Sequence, residues 1–169
     1  MNYAEEQSIP GLLLLIDFEK AFDSLSWNYL FKTLDFLNFG DSFKRWVSVF
    51  YNDIKSSVIT NGFLTDFFKV ERGCRQGDPL SPYIFIICAE ILTKRIQNNK
   101  NIKGISINGT EHILSQFADD TSIILDGSEQ SLKSTLDELS LFANMSGLRV
   151  NFEKTHVIWI GSKNIVPWQ

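Results

Sequence analysis

Three aspartates stand at the ends of strongly apolar runs. Asp17 closes the run that begins at Leu12, and Asp119 and Asp120 separate the runs 113–117 and 121–125. Carboxylates gathered in a fold repel one another and resist desolvation unless a cation compensates them. No Lys, Arg, His or Cys lies within five residues of the Asp119–Asp120 pair. Hard oxygen donors of this kind indicate Mg²⁺, or Mn²⁺ in its place, and disfavour zinc.

Two such ions about 3.5–4 Å apart would support phosphoryl transfer. An Asp-Asp pair also fills ordinary turns, so the dipeptide alone does not establish a metal site. Asp23 is a competing acid, but its position before a helix favours a turn or capping role. The metal hypothesis therefore depends on a fold that brings Asp17 to the pair.

Hydrophobic periodicity predicts the elements that would do this. The run 12–17 suits a strand buried on both faces, and Asn61-Gly62 is typical of a hairpin turn. Ser26 and Ser128 are predicted N-caps, and Gly40 and Gly147 are predicted helix ends. The predicted strands are 12–17, 113–117, 121–125 and 157–160, with a hairpin at 57–70. The predicted helices are 26–40, one opening at 41 or 42 with Phe43, Trp46, Val47 and Phe50 on one side, 79–98 behind an Asp78 cap, and 128–145.

With residues 24–70 set aside as a helical and hairpin insertion, the order is strand, helix, strand, strand, helix, strand. This is the split βαβ, ferredoxin-like βαββαβ arrangement of an α+β fold, with helices on one face of the sheet. Right-handed crossovers make the first and second strands parallel and insert the third between them. Asp17 then lies beside the turn that carries Asp119 and Asp120. We therefore predict one α+β domain over residues 1–169.

Composition limits the class of protein. The chain has 169 residues, a net charge of −4 and a pI of about 5.2, which argues against a stand-alone basic nucleic-acid binder. Two cysteines, Cys74 and Cys88, are too few for a disulfide framework and suggest a reduced, intracellular protein. The apolar runs are too short to cross a membrane, and we expect no signal peptide at residues 1–6.

Four blocks in order resemble the reverse transcriptase domain of non-LTR (LINE-type) retrotransposons. They are LIDFEKAFD at 15–23, RGCRQGDPLSP at 72–82, FADD at 117–120 and SGLRVNFEKT at 146–155. The resemblance implies the palm of an RNA-directed DNA polymerase. Its partners would be an RNA template, a DNA primer and a dNTP.

The resemblance also implies roles for the acids. Asp17, Asp119 and Asp120 match the metal-binding catalytic triad, and the Phe18 carbonyl would be a further ligand. Two Mg²⁺ ions, or Mn²⁺, would be the cofactors.

Four further residues match substrate positions of that family. Phe22 would lie under the incoming sugar and exclude a ribose 2′-hydroxyl, although a core Phe is the alternative. Gln76 and Gly77 would pack against nucleotide and template. Lys154 would protonate the pyrophosphate leaving group, although a surface lysine is the alternative.

Other features depart from the family. We expect the fingers and thumb regions and the endonuclease to be missing, and with them the basic cradle for nucleic acid, so that the isolated fragment is inactive. One alternative is a catalytically silent remnant that serves as a scaffold or binding module. Another is a group II intron-type or telomerase-like reverse transcriptase.

Overall fold

The computed structural model describes residues 9–161. Residues 1–6, where no signal peptide is expected, and both ends of the predicted domain lie outside this range. The strands are β1 (Gly11–Ile16), β2 (Lys55–Ser56), β3 (Ile59–Thr60), β4 (Phe63–Leu64), β5 (Phe68–Lys69), β6 (Ile105–Ile107), β7 (Thr110–His112), β8 (Leu114–Phe117), β9 (Asp120–Leu125) and β10 (His156–Ile160). The helices are α1 (Ala21–Ser24), α2 (Trp27–Phe36), α3 (Asp41–Phe50), α4 (Ser81–Asn98) and α5 (Glu129–Ser146).

Four strands form the sheet that organises the chain. Their order is β10-β1-β9-β8, and every neighbouring pair is antiparallel. The first and second of the predicted strands, β1 and β8, therefore run parallel with β9 between them, as the sequence predicts. The fold is mixed α/β, and the ends of β1 and β9 meet at one edge.

Side chains alternate along β1 because successive residues of a strand point to opposite faces. Leu12, Leu14 and Ile16 are buried in the main core with the helices. Leu13 and Leu15 are only half-buried, so the prediction of a strand buried on both faces is wrong. The second face has less cover because only a small apolar cluster around Ile105 and Ile160 packs on it.

Local capping residues set most helix ends as predicted. The Ser26 side chain accepts a hydrogen bond from the Tyr29 backbone N–H at 3.4 Å, and Ser128 caps α5 in the same way. Gly147 ends α5 with a φ of 83°. Gly40, however, does not end α2, because the chain leaves that helix at Phe36 and Asn38 takes the left-handed conformation instead.

The start of α4 also differs from the prediction. The helix begins at Ser81 rather than at Pro79. Asp78 still satisfies its first turn, since its carboxylate accepts from the Leu80 N–H at 3.0 Å and from the Ser81 hydroxyl at 3.4 Å.

Two hairpins form ladders separate from the four-stranded sheet. The predicted turn at Asn61-Gly62 joins β3 to β4, with φ of 49° and 83°. Asn108-Gly109 makes a second turn of this kind between β6 and β7, with φ of 51° and 79°. The predicted apolar side of α3 is partly wrong because Trp46 is 70% exposed while Val47 is buried.

Both cysteines are free and buried. Burial raises the pKa of the Cys88 thiol to about 12 and also raises the pKa of Cys74. Among residues 9–161, no helix combines the length and apolarity that crossing a bilayer needs.

Candidate active site

The carboxyl end of β1 lies against the start of β9. The ladder between these strands ends with Ile16 opposite Thr121, so one residue further along the same register Asp17 stands opposite Asp120. Opposed residues in antiparallel strands have Cα atoms about 4.5–5.5 Å apart. Strand alternation directs both aspartates away from the face covered by α4 and α5, because Ile16 and Thr121 are buried on that face. The topology thus joins acids from distant parts of the chain.

Asp17 is held from its other side by the segment 149–155. Its backbone N–H donates to the Thr155 hydroxyl at 3.3 Å, and its carbonyl accepts from the Asn151 N–H at 2.8 Å. The Asn151 carbonyl in turn accepts from the N–H groups of Lys154 at 3.2 Å and Thr155 at 2.9 Å. Lys154 is therefore positioned by a turn that is bonded directly to the backbone of Asp17.

Asp119 lies in a tight turn between β8 and β9. Phe117 pairs with Asp120, which leaves Ala118 and Asp119 as the two turn residues. Ala118 has a φ of 54°. Left-handed backbone costs a residue with a Cβ roughly 1–2 kcal/mol, so the turn that presents Asp119 is strained.

Polar contacts under this turn hold the strand ends together. The Gln116 amide donates to the Thr121 hydroxyl at 3.0 Å, and its carbonyl oxygen accepts from the Thr93 hydroxyl of α4 at 2.9 Å. Sequence reasoning missed these three residues because nothing in their local pattern distinguishes them from ordinary strand and helix positions.

An open cleft of about 810 Å³ lies at this edge. Its walls contain six of the eight residues proposed from the sequence, namely Asp17, Phe18, Phe22, Gln76, Asp119 and Lys154. Asp120 and Gly77 do not line it, although each is next in sequence to a residue that does.

The two phenylalanines enter the cleft wall differently. The Phe18 side chain is buried in the core near the Phe142 ring, with 6.3 Å between ring centroids, which leaves its backbone to face the cleft. Phe22 is half-buried, and its ring stacks on Phe85 at 4.7 Å with 21° between the planes. Phe22 is therefore both a core residue and a cleft residue.

The loop after β5 closes the cleft through Asp23. The Gln76 side-chain amide donates to the Asp23 carboxylate at 3.4 Å. Gly73 presses on the same residue, since a Cβ there would lie 2.8 Å from the Asp23 carbonyl oxygen. Gly77 has a φ of +82° with no atom within 4 Å of where its Cβ would stand, so open space adjoins its backbone. Asp23, expected to serve only a turn or cap, is thus a further carboxylate of the cleft.

Charge in the cleft is unbalanced. Five acids line it against two cations: Asp17, Glu19, Asp23, Asp119 and Glu153 against Lys20 and Lys154. Within residues 9–161, however, no three His, Cys, Asp or Glu side chains are gathered closely enough to hold a metal ion. The case for a divalent cation therefore depends on the hard carboxylate donors and the acidic excess rather than on a ready-made ligand cluster.

Comparison with known families decides the class of this domain. The family model described as reverse transcriptase (RNA-dependent DNA polymerase) matches residues 2–165. The chain belongs to the reverse transcriptase family.

Several relatives of this reverse transcriptase domain are proteins of transposable elements. One is the uncharacterized 149 kDa protein of transposon TX1 from Xenopus laevis, 27% identical over 167 residues and covering 98% of this chain. Another is the retrovirus-related Pol polyprotein from the type-2 retrotransposable element R2DM of Drosophila melanogaster, 30% identical over 146 residues and covering 86% of this chain. The predicted resemblance to non-LTR retrotransposon reverse transcriptases is confirmed. The chain spans only 12% and 13% of the lengths of these two relatives.

Solved structures support the same fold. An apo telomerase from Candida tropicalis, truncated from its C-terminal domain, is 20% identical, with a TM-score of 0.66. The match covers 97% of this chain and 34% of the telomerase. At this identity the likeness concerns the fold alone.

Proposed function

We propose that this reverse transcriptase domain is the palm of an RNA-directed DNA polymerase from a non-LTR retrotransposon. It would join a dNTP to the 3′-hydroxyl of a DNA primer on an RNA template. The observation that carries the proposal is the cleft in which Asp17 and Asp119 meet Phe22, Gln76 and Lys154. These residues come from separate sequence blocks, and their assembly in one concave site supports a shared chemical role.

The metal ligands of the proposed site are Asp17, Asp119 and Asp120, with the Phe18 carbonyl as a further oxygen donor. Two Mg²⁺ ions, or Mn²⁺, bound by these oxygens would neutralise the triphosphate and activate the primer hydroxyl. The register that sets Asp17 opposite Asp120, and the acidic excess of the cleft, support this assignment. The chain's own contribution is to hold the carboxylates on a stiff sheet edge before substrate arrives.

Phe22 is proposed to select the sugar of the nucleotide. Its ring backs onto Phe85, so it cannot withdraw into the core to admit an extra hydroxyl. Gln76 would orient the nucleotide and template through an amide that both donates and accepts. The open space beside Gly77 would allow a base or sugar to approach the backbone closely.

Lys154 is proposed to be the general acid that protonates the departing pyrophosphate. Its side chain is exposed at the cleft, and among the described residues it forms no ion pair. Hydrogen bonds join the turn that carries Lys154 to the backbone of Asp17, and they would keep the proton donor at a constant distance from the proposed metal site.

A catalytically silent scaffold is the second candidate. The observation in its favour is that, among residues 9–161, no three His, Cys, Asp or Glu side chains lie close enough together to hold a metal ion. The chain also corresponds to a small part of its relatives, so we propose that polymerisation requires fingers and thumb regions in addition to this domain.

Primer extension tests the proposal. Protein expressed from the full open reading frame that encodes this chain would be assayed on an RNA template with a DNA primer and Mg²⁺. We expect Asp17→Asn to lower the rate about a hundredfold or more, since one preorganised charge is lost. Asp137→Asn, on the exposed side of α5, is the matched control and should retain full rate. Wild-type protein without extension activity, or an Asp17→Asn variant with full activity, would favour the silent scaffold.

A further inference from the structure

Three polar side chains lie under the β8–β9 turn, where α4 packs on the sheet. Gln116 of β8 stands between the other two. Its amide N–H donates to the Thr121 hydroxyl of β9 at 3.0 Å, and its carbonyl oxygen accepts from the Thr93 hydroxyl of α4 at 2.9 Å. Thr121 is only 2% exposed, and Thr93 and Gln116 are half-buried. These hydrogen bonds therefore join a helix to two strands in a place that is largely closed to water.

The surroundings of this polar group are apolar. The helix α4 buries Ile84, Cys88 and Leu92 in the main core, and the sheet buries Ile16 and Ile123 there. A hydrogen bond in such a place contributes little net stability, because its groups give up hydrogen bonds to water. Its effect is directional, since an amide that donates on one side and accepts on the other is satisfied only at particular distances and angles. The polar group therefore fixes the relative position of helix and strands more narrowly than non-directional apolar contacts do.

The position that is fixed lies next to the proposed metal ligands. Gln116 and Thr121 stand opposite each other in the β8–β9 ladder, one pair before the pair that closes the turn. Thr121 also stands opposite Ile16 in the ladder with β1. It is thus adjacent to Asp120 in the chain and faces the residue that precedes Asp17. A shift of Thr121 would move one acid relative to the other.

Two effects act to displace the turn. Ala118 holds a left-handed φ of 54°, which is unfavourable for a residue with a Cβ, and its relaxation would move Asp119. The carboxylates of Asp17, Asp119 and Asp120 also repel one another at this edge. The hydrogen bonds beneath the turn resist both effects. Gln116 is not part of the cleft wall, so its contribution is to the position of the acids rather than to contact with a substrate.

We propose that Gln116 is a positioning residue of the candidate active site. Acting through Thr93 and Thr121, it keeps the acidic turn where the carboxylates of the turn and of Asp17 bind the same metal ions. The inference rests on the proposed function, since it takes these acids to be the metal ligands. It adds a residue that lies outside the four sequence blocks and outside the lining of the cleft.

The kinetics of primer extension test the catalytic consequence. Protein from the full open reading frame would carry Gln116→Leu, which keeps much of the bulk of the side chain and removes both hydrogen bonds. We expect kcat to fall about tenfold or more with an unchanged KM for dNTP, because the acids are misplaced while the nucleotide contacts remain. The Mg²⁺ concentration for half-maximal rate should rise about tenfold.

Gln130→Leu is the matched control for this substitution. Gln130 is exposed on α5, and its amide donates to the Asn101 side chain at 3.2 Å, away from the cleft. The change therefore also removes a glutamine hydrogen bond. It should alter neither kcat nor the Mg²⁺ dependence.

Two threonine variants distinguish positioning from packing. Thr121→Val keeps the shape and loses the hydroxyl, whereas Thr121→Ser keeps the hydroxyl and loses a methyl group. A packing role would make serine the worse replacement at this buried site, but positioning predicts that kcat falls in Thr121→Val and stays close to wild type in Thr121→Ser. The double variant Gln116→Leu, Thr121→Val should lose no more kcat than Gln116→Leu alone, because both changes remove one interaction. Urea unfolding of each variant would measure its stability separately.

Hydrogen exchange reports on the turn without metal or catalysis. In EDTA, the amides of residues 117–122 should exchange about tenfold faster in Gln116→Leu than in the wild type, while those of α5 keep their rates. Thr93→Val removes the hydrogen bond on the helix side and should act in the same direction. It replaces Gln116→Leu in both measurements if that variant does not fold.

Three results would overturn the inference: wild-type kcat in Gln116→Leu, a fall in kcat without faster exchange at the turn, or faster exchange without a fall in kcat. Asp17→Asn separates these results from a failure of the proposed function. If Asp17→Asn loses activity while Gln116→Leu behaves as the wild type, the proposed function stands and the inference is wrong. If Asp17→Asn retains full activity, the proposed function fails, and the inference that rests on it fails as well.

Discussion

Two turns of the same length, one at the candidate active site and one in the insertion, differ in how well their residues suit the backbone conformation. The β3–β4 turn is Asn61-Gly62, with both residues at positive φ, and these are the residue types that tolerate that conformation. The β8–β9 turn places Ala118 at a φ of 54° and follows it with Asp119. The turn residues of the insertion suit their backbone conformation, whereas Ala118 does not suit the conformation that it takes beside Asp119.

The surrounding structure explains why the violation is tolerated. The β9 strand pairs on both sides within the four-stranded sheet, and Gln116 bonds its neighbours beneath the turn. The β3–β4 hairpin has two residue pairs and exposed side chains, so its turn residues must be favourable by themselves. Backbone strain persists where tertiary contacts over-determine the conformation, and such places are often functional.

The largest expected contrast between the two turns is catalytic. Asp119→Asn should lower kcat by orders of magnitude with little loss of folding, because the charge proposed to bind the metal is removed while the shape of the side chain is kept. Asn61→Asp makes a comparable change in the other turn and should leave kcat unchanged. Primer extension and thermal unfolding would measure both. A loss of only a few-fold in Asp119→Asn would contradict a metal role for this turn.

A second contrast concerns aromatic residues. Phe22→Val should raise the use of ribonucleotides relative to deoxyribonucleotides about tenfold or more, because the ring proposed to block the 2′-hydroxyl is gone. Phe63→Val, beside the exposed turn and 77% exposed before substitution, should not alter the ratio. The ratio of kcat/KM values for a dNTP and its rNTP measures the effect. Unchanged discrimination in Phe22→Val would restrict Phe22 to a core role.

Gly62→Ala tests the favourable turn. A Cβ at Gly62 meets no atom within 4 Å, so the only cost is the backbone at a φ of +83°. We expect a destabilisation of about 1 kcal/mol, measured by urea unfolding. Gly40→Ala is the control, because φ there is negative and no atom lies within 4 Å of the added Cβ, so this substitution should lack the cost of left-handed backbone.

Ala118→Gly tests the strained turn and should act in the opposite direction, with the smallest effect. Glycine relieves the left-handed strain, and part of that gain is offset because glycine adds freedom to the unfolded chain. The net stabilisation should be up to about 1 kcal/mol in the same urea experiment. A destabilised Ala118→Gly variant would show that the alanine methyl group makes contacts that outweigh the strain.

Several parts of the fold were predictable because they depend on local chemistry. Ser26, Ser128 and Gly147 set helix ends through their own side chains or backbone, and β1 and β9 follow from apolar runs. The strand order followed from the element order and the handedness of crossovers. Errors arose where a neighbour decided the outcome, as when Asn38 rather than Gly40 took the left-handed position.

The candidate site divides in the same way. Asp17, Asp119 and Asp120 are proposed as site residues because they stand at the ends of apolar strands, and the structure brings Asp17 and Asp119 into one cleft. The sequence blocks around them sufficed to indicate the family that the comparisons confirm. Asp23 could not be identified as a cleft residue from the sequence, because the Gln76 side chain that contacts it lies in a distant loop.

What the sequence determined by itself was the order of elements and the family, because each of these resides in residue types and short spacings. Tertiary structure alone decided that Asn151 and Thr155 would hold Asp17, that Ala118 would carry strain, and that Lys55 would face Lys69. These are contacts between segments far apart in the chain. Their geometry is set by packing and strand register, which no local pattern encodes.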